Sequence, residues 1–516
     1  MISSQAHMRL ALMGAAVAVA TLVSGCGDNY RPVITPVSSN GPAPEISSYV
    51  VAVSTTGTNS SGEVSIIDYS GDSIMAEASL GIGPTAFTID ESGSTGYTLN
   101  SDGTLSNFSI STSLQTKGVS TSTVSQTAQI VNLFAPSSGL WTTDLSGNVV
   151  DLFSGSPVSF KLDIPVATAS STATMPMWIA GSPTSSGQRE YVISQNVADI
   201  APMTCNLTPT SVTANGVATP ILISTDTTQT PVTVGKCPVF AVVSSDQKRV
   251  FVLNRGSDTV TVIDNTTGAL DNVCPGGCKN LSGQTYYSHP TLPLSTTAVT
   301  STGITPINGT SGMTAKAGPV YAVYNAATSQ LIVSNYDGGT VSIIDVSLDE
   351  YGNDSTTFGT TYTVGVGNTT TPNPASVAVL YDGSKAYTAN QGDDSNTGNG
   401  TVSVVNLTSH TLEKTITVVG HPRTVAATQN SGYSKVYVAS PDSPYITVIE
   451  STPTETDVID TAVRVLGTAV VDLRVTTENG SSGTLSSYSS RVPGYGQPCN
   501  LPGSAYLVSL TACQTY

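Results

Sequence analysis

The sequence predicts an all-β fold: a single β-propeller of four-stranded blades, its ring closed by a C-terminal strand. Three observations predict it. A strand–turn–strand phrase recurs along the chain, turn residues separate its strands, and no stretch sustains helical periodicity. The phrase is clearest in "KRVFVLNRGSDTVTVIDNTTGAL", from Lys248, and returns as "SQLIVSNYDGGTVSIIDVS", from Ser329. Each copy alternates apolar and polar residues, breaks at Gly or Asp, and alternates again, as two strands joined by a tight turn would.

The elements follow in order. The second strand of the phrase ends at Asp68, Ser109, Phe153, Asp264, Asp345, Asn406 and Glu450, roughly 40 to 45 residues apart where no insertion intervenes. Its partner precedes the turn as "VVAVST", "GYTLN", "LWTTD", "EYVIS", "VFVLN", "LIVSN", "AYTAN" and "VYVAS". An earlier strand, often entered through proline, reads "GPTAFTI", "MPMWIA", "CPVFAVV", "GPVYAVY", "NPASVAV" and "HPRTVAA". Paired strands beginning near Val50, Gly96, Leu140, Glu190, Val250, Leu331, Ala386 and Val436 count eight blades; seven remain if the irregular fourth unit is not a blade of its own. The first unit lacks its leading strand, and "LGTAVVDLRVTT" after the eighth supplies one. Pairing the two closes the ring and removes two exposed edges. Period-two alternation is expected to bury one side of each strand against the next blade.

The pattern V-Y-V-x-N, then T-V-S-V-I-D, then V-G-x-x-P leading into V-A resembles the YVTN β-propeller repeat family, including YncE-like and surface-layer propellers. "TVSVVNLTSHTLEKTITVVGHPRTVAATQNSGYSKVYVAS" follows it almost throughout. The likeness is strong from Cys237 to Glu450 and weaker from Ser48 to Gly235; it breaks at blade four, where a long insertion splits the strand pair.

Residues 1–25 read as a signal peptide: Arg9 precedes an uncharged run from Leu10 to Val23, too short to span a membrane. A start at Met8 would make it more compact. The ending "LVSGC" resembles a bacterial lipobox, which implies export, cleavage before Cys26 and acylation of that cysteine. With Gly27 rather than Asp next, the resemblance points to the outer membrane of the cell envelope. Residues 26–48 are a Pro-, Gly- and Ser-rich tether reaching roughly 70 Å when extended. The propeller is expected over 49–475 and a cysteine-bounded tail over 476–516.

Eighteen Lys and Arg against 35 Asp and Glu give a net charge of −17, which argues against nucleic acid as a partner and leaves the lipid as the attachment to membrane. In a four-stranded blade, the connections from strand two to three and from strand four to the next blade share a face. The insertions "NVADIAPMTCNLTPTSVTANGVA", "CPGGCKNLSGQTYYSHPTLPLSTTAVTSTGITPINGTSGMTAKAG" and "QGDDSNTGNG" map there, making it the candidate binding surface. "SLDEYGNDSTTFG" opens on the other face.

Six cysteines besides Cys26 suit an exported, disulfide-bearing protein. Of fifteen possible connectivities, positions in the repeat favour Cys205–Cys237, Cys274–Cys278 and Cys499–Cys513, each stapling an irregular segment. The recurring Asp at the end of strand three is expected to cap a turn. His289, His410 and His421 are too sparse for a histidine metal centre, and no G-x-S-x-G elbow occurs. His421 and Arg423 stand where they would line the channel mouth and meet an anion, and Asp393 and Asp394 open a polar loop with calcium-like oxygen spacing but no distal acidic ligand. No catalytic residue, metal or cofactor is assigned. The expectation is a lipid-anchored, non-catalytic propeller that binds a protein, glycan or envelope component through its insertion-rich face. The alternative is a channel enzyme, a lactonase-like hydrolase or a quinone-dependent dehydrogenase.

Overall fold

The computed structural model describes residues 49–476, less 58, 69, 91, 111–117, 125–127, 137–138, 167–173, 182–188, 198–204, 206–210, 272–277, 280–282, 284, 287, 295–296, 301–302, 307–315, 370, 393–398, 430–431 and 453–455. Over these residues eight antiparallel sheets of four principal strands stand in a ring. The eight inner strands are Ala469–Val475, Pro84–Ile89, Ile130–Phe134, Pro176–Ala180, Pro238–Val243, Pro319–Asn325, Pro374–Val379 and Thr424–Ala427, for blades one to eight. Each touches the next around the whole circle, the eighth returning to the first. The irregular fourth unit is a blade, so the count is eight.

The ring closes as the orphan strand foretells. Ala469–Val475 pairs antiparallel with Tyr49–Thr55, from Val50 opposite Val475 to Thr55 opposite Ala469. Thr476 adds a lock, receiving the Tyr49 amide on its hydroxyl at 2.7 Å. Burial differs from the one-sided pattern expected. Tyr49–Thr55 is buried at every position, and Arg249–Asn254 likewise. The reason is that each blade is sandwiched between two others. Val50 and Ala52 pack with Tyr437 and Ile446 of blade eight, whereas Val51 and Val53 pack with Phe87 and Phe108 of blade two. Period two therefore selects which neighbour is met, not core against solvent. Only outer strands, such as Thr411–Val419, alternate towards water.

The insertion after Leu270 lies elsewhere than expected. The outer strand of blade five is split: Ala269–Leu270 pairs with one end of Thr259–Asp264, and Thr291–Pro293 pairs with the other. Residues 271–290 are thus an excursion within a strand, not a link between blades. Thr297–Thr300 and Gly303–Pro306 form a hairpin added to the outer edge of blade six beside Thr361–Gly365. Unpaired outer edges accept such additions because their N–H and C=O groups are free to pair.

Candidate functional site

The polar residues of the repeated phrase are consumed in holding each blade together. Asn390, at the end of its strand, donates from Nδ2 to Thr401 Oγ1 (3.0 Å) and Ser403 Oγ (2.9 Å), while its Oδ1 accepts from Thr388. Asn100, Asn254 and Asn335 repeat the two Nδ2 donations on Thr104 and Ser106, Thr259 and Thr261, and Thr340 and Ser342. The same hydroxyls catch the segment arriving from the preceding blade: the Gly367 amide donates to Ser403 Oγ at 2.8 Å, and the Gly81 amide to Ser106 Oγ at 3.1 Å. Buried polar groups are costly unless hydrogen-bonded, and this network supplies the Asn Nδ2 bonds in copy after copy, although Asn335 Oδ1 is left without a hydrogen-bond partner. The recurring residue at the end of strand three caps its turn as expected. Asp264, Asp345 and Asn406 accept the amides of Thr266, Ser347 and Thr408 at 2.8 to 2.9 Å.

A second device fastens blade to blade. A residue at the entry to the outer strand has positive φ at Asp72, Asp226, His410 and Asp457, residue types that tolerate that region. Each reaches the preceding blade. Asp72 takes Lys435 Nζ at 2.5 Å and the Tyr437 hydroxyl at 2.6 Å across the ring closure. Asp457 takes Lys385 Nζ at 2.6 Å and the Tyr387 hydroxyl. Asp226 pairs with Lys161, and His410 stacks on Tyr362 with centroids 3.7 Å apart. Burial alone would raise the Asp457 carboxyl, but the hydrogen bonds from Lys385, Tyr387 and Ser451 outweigh it and hold the group below its ordinary value.

Between blades five and six the device is enlarged into a site. Arg249 stands where Lys385 and Lys435 stand, but Phe251 replaces their tyrosines. Its Nη2 meets Asp354 at 3.1 Å and a second carboxylate, Asp271, at 3.4 Å. His289 donates its backbone amide to both carboxylates, and its Nδ1 lies 2.9 Å from Asp354 Oδ2. Asp354 comes from the "SLDEYGNDSTTFG" excursion, Asp271 and His289 from the excursion inside blade five's outer strand. Burial, then the neighbouring Asp354, pushes the Asp271 carboxyl up to about 7 against the opposing pull of Arg249. A cavity of about 310 Å³ opens here, lined by Lys248, Arg249, Asp264, Asp271, Ser288 and Tyr351 among others. Its lining belongs to the start of strand two and the end of strand three, hence to the face opposite the blade-four insertion.

The residues singled out in sequence behave differently. Cys205 and Cys237 are bridged, with Cα atoms 5.3 Å apart, and both are fully buried beside Val212. Cys26, Cys274, Cys499, Cys513, Asp393 and Asp394 lie outside the described residues, and of Cys278 only the backbone, in a two-residue strand, is described. His421 is held by Asp442, amide to Oδ1 at 2.8 Å and Nδ1 to Oδ2 at 2.6 Å. Arg423 is buried at 4% exposure, so the two do not form a shared anion site. The linker residues aligned with His421, namely Gly83, Met175, Cys237, Gly318 and Asn373, all have positive φ, whereas in blade eight Gly420 takes that role. At the axis, Trp178, Phe240 and Tyr321 pack in succession on neighbouring inner strands, 4.5 and 4.7 Å between centroids. A cavity of about 90 Å³ is lined by the ends of the inner strands of blades six to eight and one. Among the described residues no group of three His, Cys, Asp or Glu is placed to hold a metal ion.

No family profile matches this chain, and no curated protein sequence does. Solved structures do. The dihydro-heme d1 dehydrogenase NirN is 11% identical, with a TM-score of 0.52 over 85% of this chain and 77% of that one. A 6-phosphogluconolactonase-like protein of Bacteroides fragilis is 13% identical, TM-score 0.47, over 84% and 99%. AztD of Citrobacter koseri is 10% identical, TM-score 0.49, over 84% and 99%. At these identities the likeness concerns the fold alone.

Proposed function

We propose that this chain is a non-catalytic binding propeller of YVTN-like repeats, carried on the bacterial outer membrane by acyl chains on Cys26. It engages a protein or glycan of the envelope through the face bearing the blade-four insertion. The observation that carries the reading is the use made of the repeated polar residues. The Asn–Thr/Ser network is spent within the blades, so recognition falls to the loops. The stapling of Cys205 to Cys237 supports it further, because a loop fixed in advance loses less entropy when a partner binds. Radiolabelled palmitate should enter the wild-type protein and not Cys26→Ala. The wild type should co-sediment with purified envelope, or with a defined envelope component, and a variant shortened within residues 198–204, which keeps the Cys205–Cys237 bridge, should not. Equal retention of both would overturn the reading.

A second reading, a hydrolase or dehydrogenase, is favoured by one observation: a carboxyl pushed up to about 7 by burial, beside Arg249 and His289. That pairing suits general acid–base chemistry. Turnover of a lactone panel by the wild type and its loss in Asp271→Asn would establish this reading in place of the first.

A further inference from the structure

Arg249 Nη2 and the His289 amide are each shared between the same two carboxylates. Nη2 lies 3.4 Å from Asp271 Oδ1 and 3.1 Å from Asp354 Oδ1; the amide lies 3.1 Å from Asp271 Oδ2 and 3.0 Å from Asp354 Oδ2. Both carboxylate side chains are withdrawn from water, 7% and 0% exposed. Lys385 also meets two carboxylates, but the second, Glu413, keeps 33% of its side chain exposed, where water solvates the charge. Two buried like charges on common donors repel each other, and one proton between them removes a charge and adds a hydrogen bond. Burial, then Asp354, accordingly pushes the Asp271 carboxyl up to about 7.

The pair joins two excursions. Asp271 and His289 stand where the blade-five excursion leaves and returns, and Asp354 belongs to the tip of the blade-six excursion, residues 349–355. The tip holds its own shape. The Asp349 amide donates to the Asn353 carbonyl at 2.7 Å, the Gly352 amide donates to the Asp349 carbonyl at 3.0 Å, and the Asp349 carboxylate accepts the Tyr351 and Asn353 amides at 2.9 Å. Its root is fixed by Phe358, buried in the main core, and by Leu348 packed against that core. Its bonds to blade five include those of the Asp354 carboxylate and the Gly352 carbonyl with Arg249. The tip can therefore leave blade five as a unit, without breaking its internal bonds. The charged and titratable groups that face the pair are Lys248 and Arg249 from the start of strand two, Asp264 from the end of strand three, His289 from the returning segment and Tyr351 from the tip.

We propose that Asp271 and Asp354 form a pH-sensitive clasp between blades five and six, closed while the pair holds one proton and released by its loss, which frees residues 349–355 from blade five and widens the cavity they line. The clasp lies on the face opposite the blade-four insertion and stands or falls apart from the envelope partner proposed above. A carboxyl in the open form titrates near its ordinary value of about 4, and Asp271 in the closed form near 7. Opening therefore grows about tenfold per pH unit between the two values and levels off above them. The His289 amide reports it, because that amide exchanges when the carboxylates withdraw. Residue-resolved hydrogen exchange of the full-length protein from pH 5 to 8, corrected for the intrinsic exchange rate, makes the test. Protection of that amide should fall up to about 100-fold between pH 5 and 7 and level off by pH 8, while Tyr49–Thr55 keeps its own. Asp271→Asn should abolish the dependence, and His289→Gln, which removes the imidazole and keeps the backbone amide, should retain it. A flat profile, a loss shared by Tyr49–Thr55, a dependence that survives Asp271→Asn, or one that vanishes in His289→Gln overturns the proposal. Should Asp271→Asn fail to fold, the wild-type profile and His289→Gln decide together.

Discussion

Replacing Asn390 by alanine is the most informative substitution in the repeat. The residue is fully buried, and its amide makes three side-chain bonds, to Thr401, Ser403 and Thr388. Each is worth about 1 kcal/mol net, and at least one of the abandoned hydroxyls is stranded at a further cost of about 1 kcal/mol or more. Ser403 retains the Gly367 amide as a donor, which spares part of the loss. The expected destabilisation is therefore about 3 kcal/mol. Urea unfolding at fixed pH measures it, with Asn406→Ala as control. Asn406 caps an exposed turn and should cost about 1 kcal/mol. A loss below 1 kcal/mol at Asn390 would refute the assignment of the phrase to structure. So would unchanged stability accompanied by lost ligand binding, since the phrase would then serve recognition.

Asp72→Asn at the junction of blades eight and one removes the carboxylate that meets Lys435 at 2.5 Å and should cost about 3 kcal/mol, whereas Tyr437→Phe should cost about 1; thermal unfolding of the two variants compares them. Asp457 is held below its ordinary value, so its contribution is present above about pH 4 and is lost as acid protonates it, visible as acid unfolding that Asp457→Asn shifts. Asp271 has the opposite sign. Its folded-state value is raised to about 7, so the stability it carries at low pH is lost as pH climbs from about 4 to 7, and Asp271→Asn should flatten stability between pH 5 and 8. Replacing Cys205 and Cys237 by serine opens a loop with a sequence separation of 32 and should cost about 3–4 kcal/mol, read by chemical unfolding.

The blades were legible because their signals are local: alternation, a turn residue, a proline at the entry. The closing strand was legible for a different reason, since an orphan strand at one end matched a missing one at the other. The site between blades five and six was not. Arg249 and Asp354 are 105 residues apart, and nothing local distinguishes this arginine from the lysines that merely fasten blades. His289 reads in sequence as an isolated histidine; only the split outer strand of blade five brings it to Asp354. One signal did exist. "SLDEYGNDSTTFG" is the one large insertion that the sequence alone places on the other face, and it supplies Tyr351, Gly352, Asn353 and Asp354 to the cavity. His421 and Arg423 misled because adjacency in sequence says little about shared exposure where a linker enters a strand at Thr424: one side chain is held at the surface by Asp442 and the other is buried.

Amide hydrogen exchange across Ala469–Val475 tests the closed ring most directly. A strand clamped between Tyr49–Thr55 and the axis should exchange only with global unfolding, at the rate of Val50 to Val53. Exchange of that strand at the rate of the exposed outer strand Thr411–Val419, while Val50 to Val53 stay protected, would contradict it.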